Sequence, residues 1–197
     1  MIRLQDLNKA LPFTGAGINI MLDSIERHVE TFDLDFDPPW QRGHVWTDDQ
    51  RGNFIGHLLT GGMVPHIIVR EPTFGALGKY QVVDGKQRLT SVLRWKENLF
   101  PALIDGYDPL WYRDTDHHWS VQNIRADYVR VALESELLTL YLRLNSGGTP
   151  HTREQLERVR VMRDEALARE TALVWSVKGR VCSRQPCPLR HLHDHQR

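Results

Sequence analysis

The sequence predicts an α+β fold: a small mixed sheet with flanking helices and a C-terminal helical segment. Two capping boxes, at Thr47–Gln50 and Thr152–Gln155, start helical patterns, and short strand-like runs lie at 31–36, 64–69, 80–83 and 124–133. The composition is that of a globular chain, with 197 residues, 41% hydrophobic and 25% charged. That length suits one domain of ordinary size with at most an appendage.

Lys plus Arg and Asp plus Glu number 25 each, so the net charge is zero. A protein devoted to non-specific nucleic-acid binding needs a broad basic surface, which this balance argues against while leaving room for a local basic groove. No apolar run approaches bilayer length, and Met1-Ile2-Arg3-Leu4-Gln5-Asp6 lacks the charged-then-apolar order of a signal peptide. A membrane is therefore not an expected partner, and a cytoplasmic location is expected. Cys182 and Cys187, both near the C-terminus, give no disulfide framework.

Taken in order, Ile18, Ile20, Met21, Leu22, Ile25 and Val29 are spaced as one face of a helix over 18–30. Thr31–Phe36 alternates as a strand, and Asp37-Pro38-Pro39-Trp40-Gln41-Arg42-Gly43 ends it, because paired prolines remove donors and fix an extended turn. Thr47 caps a helix that buries Phe54, Ile55, Leu58 and Leu59 and stops at Gly61-Gly62. Val64–Val69 comes next as a strand with Pro65 at its start, then a Gly-rich loop, then the strand Tyr80–Val83. A helix over about 87–97 buries Leu89, Val92 and Leu93. The stretch 101–123, with Trp111, His117, His118 and Trp119, reads as an irregular aromatic excursion. Ile124–Leu133 is strand-like and Glu134–Leu144 helical, with Leu137, Leu138, Tyr141 and Leu142 inward. Asn145-Ser146-Gly147-Gly148-Thr149-Pro150 breaks that helix, and the next buries Leu156, Val159, Met162 and Ala166. From Lys178 the chain is basic, His-rich and poor in apolar residues, the pattern of a disordered tail.

The most informative stretch is Tyr80-Gln81-Val82-Val83-Asp84-Gly85-Lys86-Gln87-Arg88. It places two cations in a helix's first turn, where the positive end of the dipole disfavours each by roughly 0.3–1 kcal/mol. A bound anion is the simplest compensation, since the first N–H groups of a helix already form an anion site. Asp84 then stands where a metal ion or a proton would be handled. The alternative is a solvated turn with Lys86 and Arg88 pointing outward.

Pro39-Trp40-Gln41-Arg42 with Val45-Trp46, Asp84-Gly85-Lys86-Gln87-Arg88, and Tyr141-Leu142-Arg143-Leu144-Asn145-Ser146-Gly147-Gly148-Thr149-Pro150 occur in this order. Together they resemble the N-terminal domain of GmrSD-type restriction endonucleases, of the ParB/sulfiredoxin-like superfamily. That family carries a Pro-x-Tyr-Gln-Arg-like turn, an Asp-Gly-Gln-Gln-Arg turn and an Asn-x-Gly-Gly-Thr-Pro-Leu turn, and the resemblance covers about residues 30–165. It implies a ParB/sulfiredoxin-like domain over 31–170, after a helical lead-in over 1–30 and before the tail at 178–197.

The resemblance implies a nucleoside triphosphatase that binds its nucleotide with Mg²⁺ as a regulatory domain of a restriction or other DNA-transacting system. Asp84, Gln87 and Arg88 would be catalytic, with Asp84 holding the metal. Gln41, Arg42, Gly85, Lys86, Arg88, Asn145 and Gly147 would bind nucleotide and phosphate. Positioning plus charge stabilisation is most of what phosphoryl transfer needs. Two other readings compete: a non-enzymatic ParB-like DNA-binding or adaptor module, and a stand-alone metal-dependent nuclease. Candidate partners are DNA, through Arg42, Arg51, Arg125 and Arg130 if these share a face, a separate HNH-type nuclease subunit, and a second copy of the chain. The family's nuclease domain does not fit in this length, so DNA cleavage by this chain alone is not expected.

Three departures stand out: Lys86 for the first Gln of the pair, Trp40 for Tyr, and His151 for an apolar residue. In the tail, Cys182-x4-Cys187-x3-His191-x-His193 matches no common zinc finger, and zinc is not expected.

Overall fold

The computed structural model describes residues 17–72, 79–116, 122–145 and 151–182, with side chains in the last stretch described as far as Leu173. The chain forms two compact units, Met1–Ala132 and Leu133–Arg197.

The first unit is built on a five-stranded mixed sheet of order β1-β5-β3-β4-β2. Its strands are β1 (Gly17–Met21), β2 (Leu34–Asp35), β3 (Ile67–Glu71), β4 (Tyr80–Asp84) and β5 (Asn123–Arg130). β1 runs antiparallel to β5, β5 parallel to β3, β3 antiparallel to β4, and β4 parallel to β2. Among the described residues, its helices are α1 (Ile25–Thr31), α2 (Asp48–Leu59) and α3 (Lys86–Lys96). The expected α+β class is what the structure shows.

The N-terminal segment differs from the expectation of a helix from Ile18. Gly17–Met21 is a strand, a 3₁₀ turn comes next at Leu22–Ser24, and the helix begins only at Ile25. Ile18, Ile20 and Leu22 also alternate with period two, and pairing of Ile20 with Ile124 decides between the two periods. The strand expected over 31–36 shrinks to Leu34–Asp35, because Thr31 still belongs to α1 and Asp33 turns the chain at φ 42°.

The core gathers Ile67, Val69, Val82 and Ala126 from the sheet against Ile55 and Leu58 of α2 and Leu89, Val92 and Trp95 of α3. Each such fully buried aliphatic side chain contributes roughly 1.5–3 kcal/mol relative to exposure, so the helices flanking the β4–α3 turn are firmly seated. α2 starts with the complete capping box: Thr47 Oγ1 accepts from Gln50 N at 3.3 Å, and Gln50 Oε1 accepts from Thr47 N at 2.9 Å. It ends before Gly61, which takes φ 80° as a left-handed stop. Within 101–116, Ala102 and Leu110 form an isolated bridge, and Trp95 Nε1 donates to Leu110 O at 3.2 Å. His117, His118 and Trp119 lie outside the described residues.

The second unit holds α4 (Glu134–Leu144) and α5 (Arg153–Cys182). α4 has the expected bounds and buries Leu137, Leu138, Leu140 and Tyr141, while α5 buries Val159 and Ala166. Glu170 fastens the two helices by accepting from Ser135 N at 3.1 Å and Ser135 Oγ at 2.5 Å. Thr152 and Gln155 form the second expected capping box, at 3.1 and 3.2 Å. His151, where the family has an apolar residue, sets its Nε2 3.1 Å from the Tyr141 hydroxyl and its ring edge-on to that of Tyr141. α5 continues through 178–182, into the segment whose composition reads as a tail; Cys187, His191 and His193 lie outside the described residues.

Candidate functional site

The site forms where β4 turns into α3, and a register change prepares it. Val69 pairs with Val82, but the preceding residue Ile68 pairs with Asp84, so Val83 is the extra residue of a bulge. A bulge resets the alternation of side chains and re-aims the residues beyond it. Here Val82 faces the core, while Asp84 lies in one cross-strand row with Ile68 and Asp127, the residues paired across β4, β3 and β5. Gly85 then takes φ 98° as the N-cap of α3 and supplies no side-chain cap. A Cβ at this position would come 2.3 Å from Ile67 Cδ1, so glycine is required both for the turn and for the close approach.

The two cations of the first helical turn are met by carboxylates of the chain itself. Arg88 Nη2 donates to Asp84 Oδ2 at 2.7 Å and to the His66 carbonyl at 3.1 Å. Lys86, only 4% exposed, donates through Nζ to Asp37 Oδ1 and, at 3.0 Å, to the Arg42 carbonyl. This corrects the expectation that a bound anion is the simplest compensation. Lys86 is buried against Asp37 and the Arg42 carbonyl. The solvated-turn alternative fails for the same reason, since Lys86 and Gln87 are buried.

The glutamines of the two motifs act on the loop between Pro38 and Trp46. Gln87 Nε2 donates to Gly43 O at 3.2 Å, and its Oε1 accepts from Val45 N at 3.4 Å. Gln41 Nε2 donates to Val82 O at 3.0 Å and its Oε1 accepts from Arg42 N at 3.2 Å. Both ends of each amide are thereby engaged, so Gln41 and Gln87 position backbone. Arg42 is half-buried with its main chain held by Gln41 and Lys86. Trp40 is buried, and Trp46 packs on Phe54 with ring centroids 5.5 Å apart.

Sequence reasoning missed a second polar group at this end of the sheet. His66 Nδ1 donates to Asp127 Oδ2 at 2.8 Å, and Arg125 Nε donates to Asp127 Oδ1 at 3.2 Å. Partial burial raises the Asp127 carboxyl, but the His66 and Arg125 hydrogen bonds outweigh it and hold the group below the usual carboxylate value. His66 and Asp127 are 61 residues apart, and only strand pairing joins them. Asp37 was equally hidden, although it directly precedes the Pro-Pro turn of the first motif.

Asn145 belongs to the second unit, where it ends α4 and its Nδ2 donates to Tyr141 O at 2.8 Å; Gly147 lies outside the described residues. The arginines considered for DNA do not share a face. Regular alternation along β5 sends Arg125 and Arg130 to opposite sides of the sheet, and Arg51, Arg125 and Arg130 are paired with Asp48, Asp127 and Glu71.

Fold and turn define a class: a small α+β domain in which a bulged strand, a left-handed glycine and a helix start put a carboxylate and an arginine side by side. The family described as GmrSD restriction endonuclease, N-terminal domain, matches residues 19–122, just over half of the 197-residue chain, and the protein belongs to that family. It is thus a component of a DNA-acting restriction, or DNA-defence, system. None of the curated proteins matches the chain. Among the described residues, no helix is long and apolar enough to cross a membrane.

Proposed function

We propose that the first unit binds a nucleoside triphosphate with Mg²⁺ at the β4–α3 turn and hydrolyses it slowly, and that nucleotide state regulates a nuclease carried elsewhere in the restriction system. The observation that carries this reading is the start of α3. Gly85 leaves the helix start without a side-chain cap, beside a carboxylate that the Val83 bulge has turned to the same end of the sheet.

The donor set suits such a ligand. Asp84 meets Arg88 through Oδ2, and a carboxylate has two oxygens, so Oδ1 can serve a hard cation held chiefly by phosphate oxygens and water. Mg²⁺ would supply charge neutralisation of the phosphates there. The N–H groups of residues 85–88 would hold phosphate oxygens. Arg88, partly released from Asp84, would stabilise charge on the transferred group. Gln41, Lys86 and Gln87 hold the Pro38–Trp46 loop over the turn and keep its shape.

The reading is tested by calorimetry with each of the four ribonucleoside triphosphates and Mg²⁺, followed by phosphate release, in wild type, Asp84→Ala and Arg88→Ala. Binding and slow release in wild type, with binding lost in Arg88→Ala and release lost in Asp84→Ala, is expected. A wild type with no affinity for any of the four ends the reading.

A further inference from the structure

His66 directly precedes β3, whose parallel register with β5 begins at the next residue, Ile67, opposite Ala126. Its side chain and its main chain are held by different elements. The carbonyl accepts from Arg88 Nη2 at 3.1 Å, and the imidazole Nδ1 donates to Asp127 Oδ2 at 2.8 Å. The same Arg88 Nη2 also donates to Asp84 Oδ2 at 2.7 Å. One residue therefore links β5 to the arginine of the β4–α3 turn.

Asp127 is placed to orient its neighbours. Both of its carboxylate oxygens are engaged, Oδ2 by His66 and Oδ1 by Arg125 Nε at 3.2 Å. Gly17, its partner on β1, leaves room for this arrangement, because a Cβ there would come 2.7 Å from Asp127 Oδ1 and 2.3 Å from Arg125 Nη2. Imidazole donates from Nδ1 in one neutral tautomer and in its charged form, so the bond to Asp127 is compatible with either protonation state. At Arg88, the two acceptors differ in kind. A cation that takes the Asp84 carboxylate competes with Arg88 for its charge, whereas the neutral His66 carbonyl keeps its hydrogen bond. A guanidinium with one N–H already held needs less ordering to meet a phosphate oxygen.

We propose that His66 and Asp127 are positioning residues for Arg88. Asp127 fixes the His66 side chain, and so fixes the carbonyl about which the Arg88 guanidinium turns when its bond to Asp84 is exchanged for a phosphate oxygen. This rests on the reading of Arg88 as a phosphate-binding group, and it assigns the placement of that group to residues outside the three motifs. The His66 and Asp127 side chains are 49% and 35% exposed, so removing the pair is not expected to unfold the chain.

The test uses the full chain, first without ligand and then with each of the four ribonucleoside triphosphates and Mg²⁺. Without ligand, the side-chain N–H resonances of Arg88 are expected to shift or broaden in Asp127→Ala and His66→Ala. They should stay in place in His66→Asn, whose amide nitrogen replaces Nδ1 as the donor. With nucleotide, phosphate release should fall about tenfold in both alanine variants while KM changes less than about threefold, and His66→Asn should recover most of the rate. Urea midpoints should stay close to wild type. Arg88 resonances unmoved in Asp127→Ala would overturn the proposal. So would His66→Asn as slow as His66→Ala, which would make the ring itself the group that handles a proton. A wild type that turns over none of the nucleotides would end the proposed function, and the ligand-free resonances would still decide whether His66 and Asp127 place Arg88.

Discussion

Replacing Asp37 by Asn and Lys86 by Met separates two views of the turn. Asp37→Asn keeps shape and a hydrogen-bond acceptor but leaves the Lys86 ammonium, 4% exposed, without its counter-charge. Removing one partner of a fully buried pair costs about 3–5 kcal/mol. Because the Asp37 side chain is 75% exposed, water can reach its end of the pair, and the expected loss falls to about 1–3 kcal/mol. Lys86→Met removes the charge itself. It fills the site with an apolar chain of similar volume, returns Asp37 to water, gives up the bond to Arg42 O, and takes a cation from a helix N-terminus, a gain of roughly 0.3–1 kcal/mol. Its net cost should be about 1 kcal/mol or less. Urea unfolding followed by fluorescence reads the difference, since Trp40 and Trp95 are buried in this unit. With a slope of about 2 kcal/mol per molar, Asp37→Asn should lower the midpoint by about 0.5–1.5 M and Lys86→Met by about 0.5 M or less. A larger loss for Lys86→Met than for Asp37→Asn would refute the view that Lys86 is a buried cation held by Asp37.

Gly85→Ala combines a left-handed backbone with a Cβ 2.3 Å from Ile67 Cδ1, and should cost about 2–4 kcal/mol in the same assay; a change under about 0.5 kcal/mol would contradict the turn geometry. Thr47→Ala removes the acceptor for Gln50 N and should cost about 1 kcal/mol, with loss of helical signal confined to the start of α2. His28 bonds the Tyr128 hydroxyl, and desolvation lowers its pKa. The unfolded chain therefore binds the proton first as pH falls below about 6.5, so this group's contribution to stability is present above that pH and is lost below it. A His28→Gln variant should show a shallower fall of the urea midpoint between about pH 7 and 5; an unchanged slope would assign the acid limb elsewhere.

Much of the architecture was legible because it is local. Thr47, Thr152 and Gly61 announce helix ends through chemistry within a few residues, and the apolar spacing of 134–144 is that of one helix face. β1 was not legible, because Ile18, Ile20 and Leu22 fit two periods and Ile124, more than a hundred residues away, chooses between them. The Asp84–Arg88 turn was visible as a charge pattern, and its order among the three motifs pointed to the family whose model matches the chain. Its neutralisation was not visible, since Asp37 reaches Lys86 across 49 residues and the Val83 bulge, which aims Asp84, exists only in the pairing of β3 with β4. Short-range chemistry can reveal that a turn is unusual; which long-range carboxylate answers it depends on the sheet.

The most direct test of the central claim is an amide chemical-shift map of the full chain titrated with Mg²⁺-nucleoside triphosphate. The account predicts saturable shifts largest at Gly85, Lys86, Gln87 and Arg88, absent in Arg88→Ala. Shifts that leave residues 84–88 unmoved, or none with any of the four nucleotides, would contradict it.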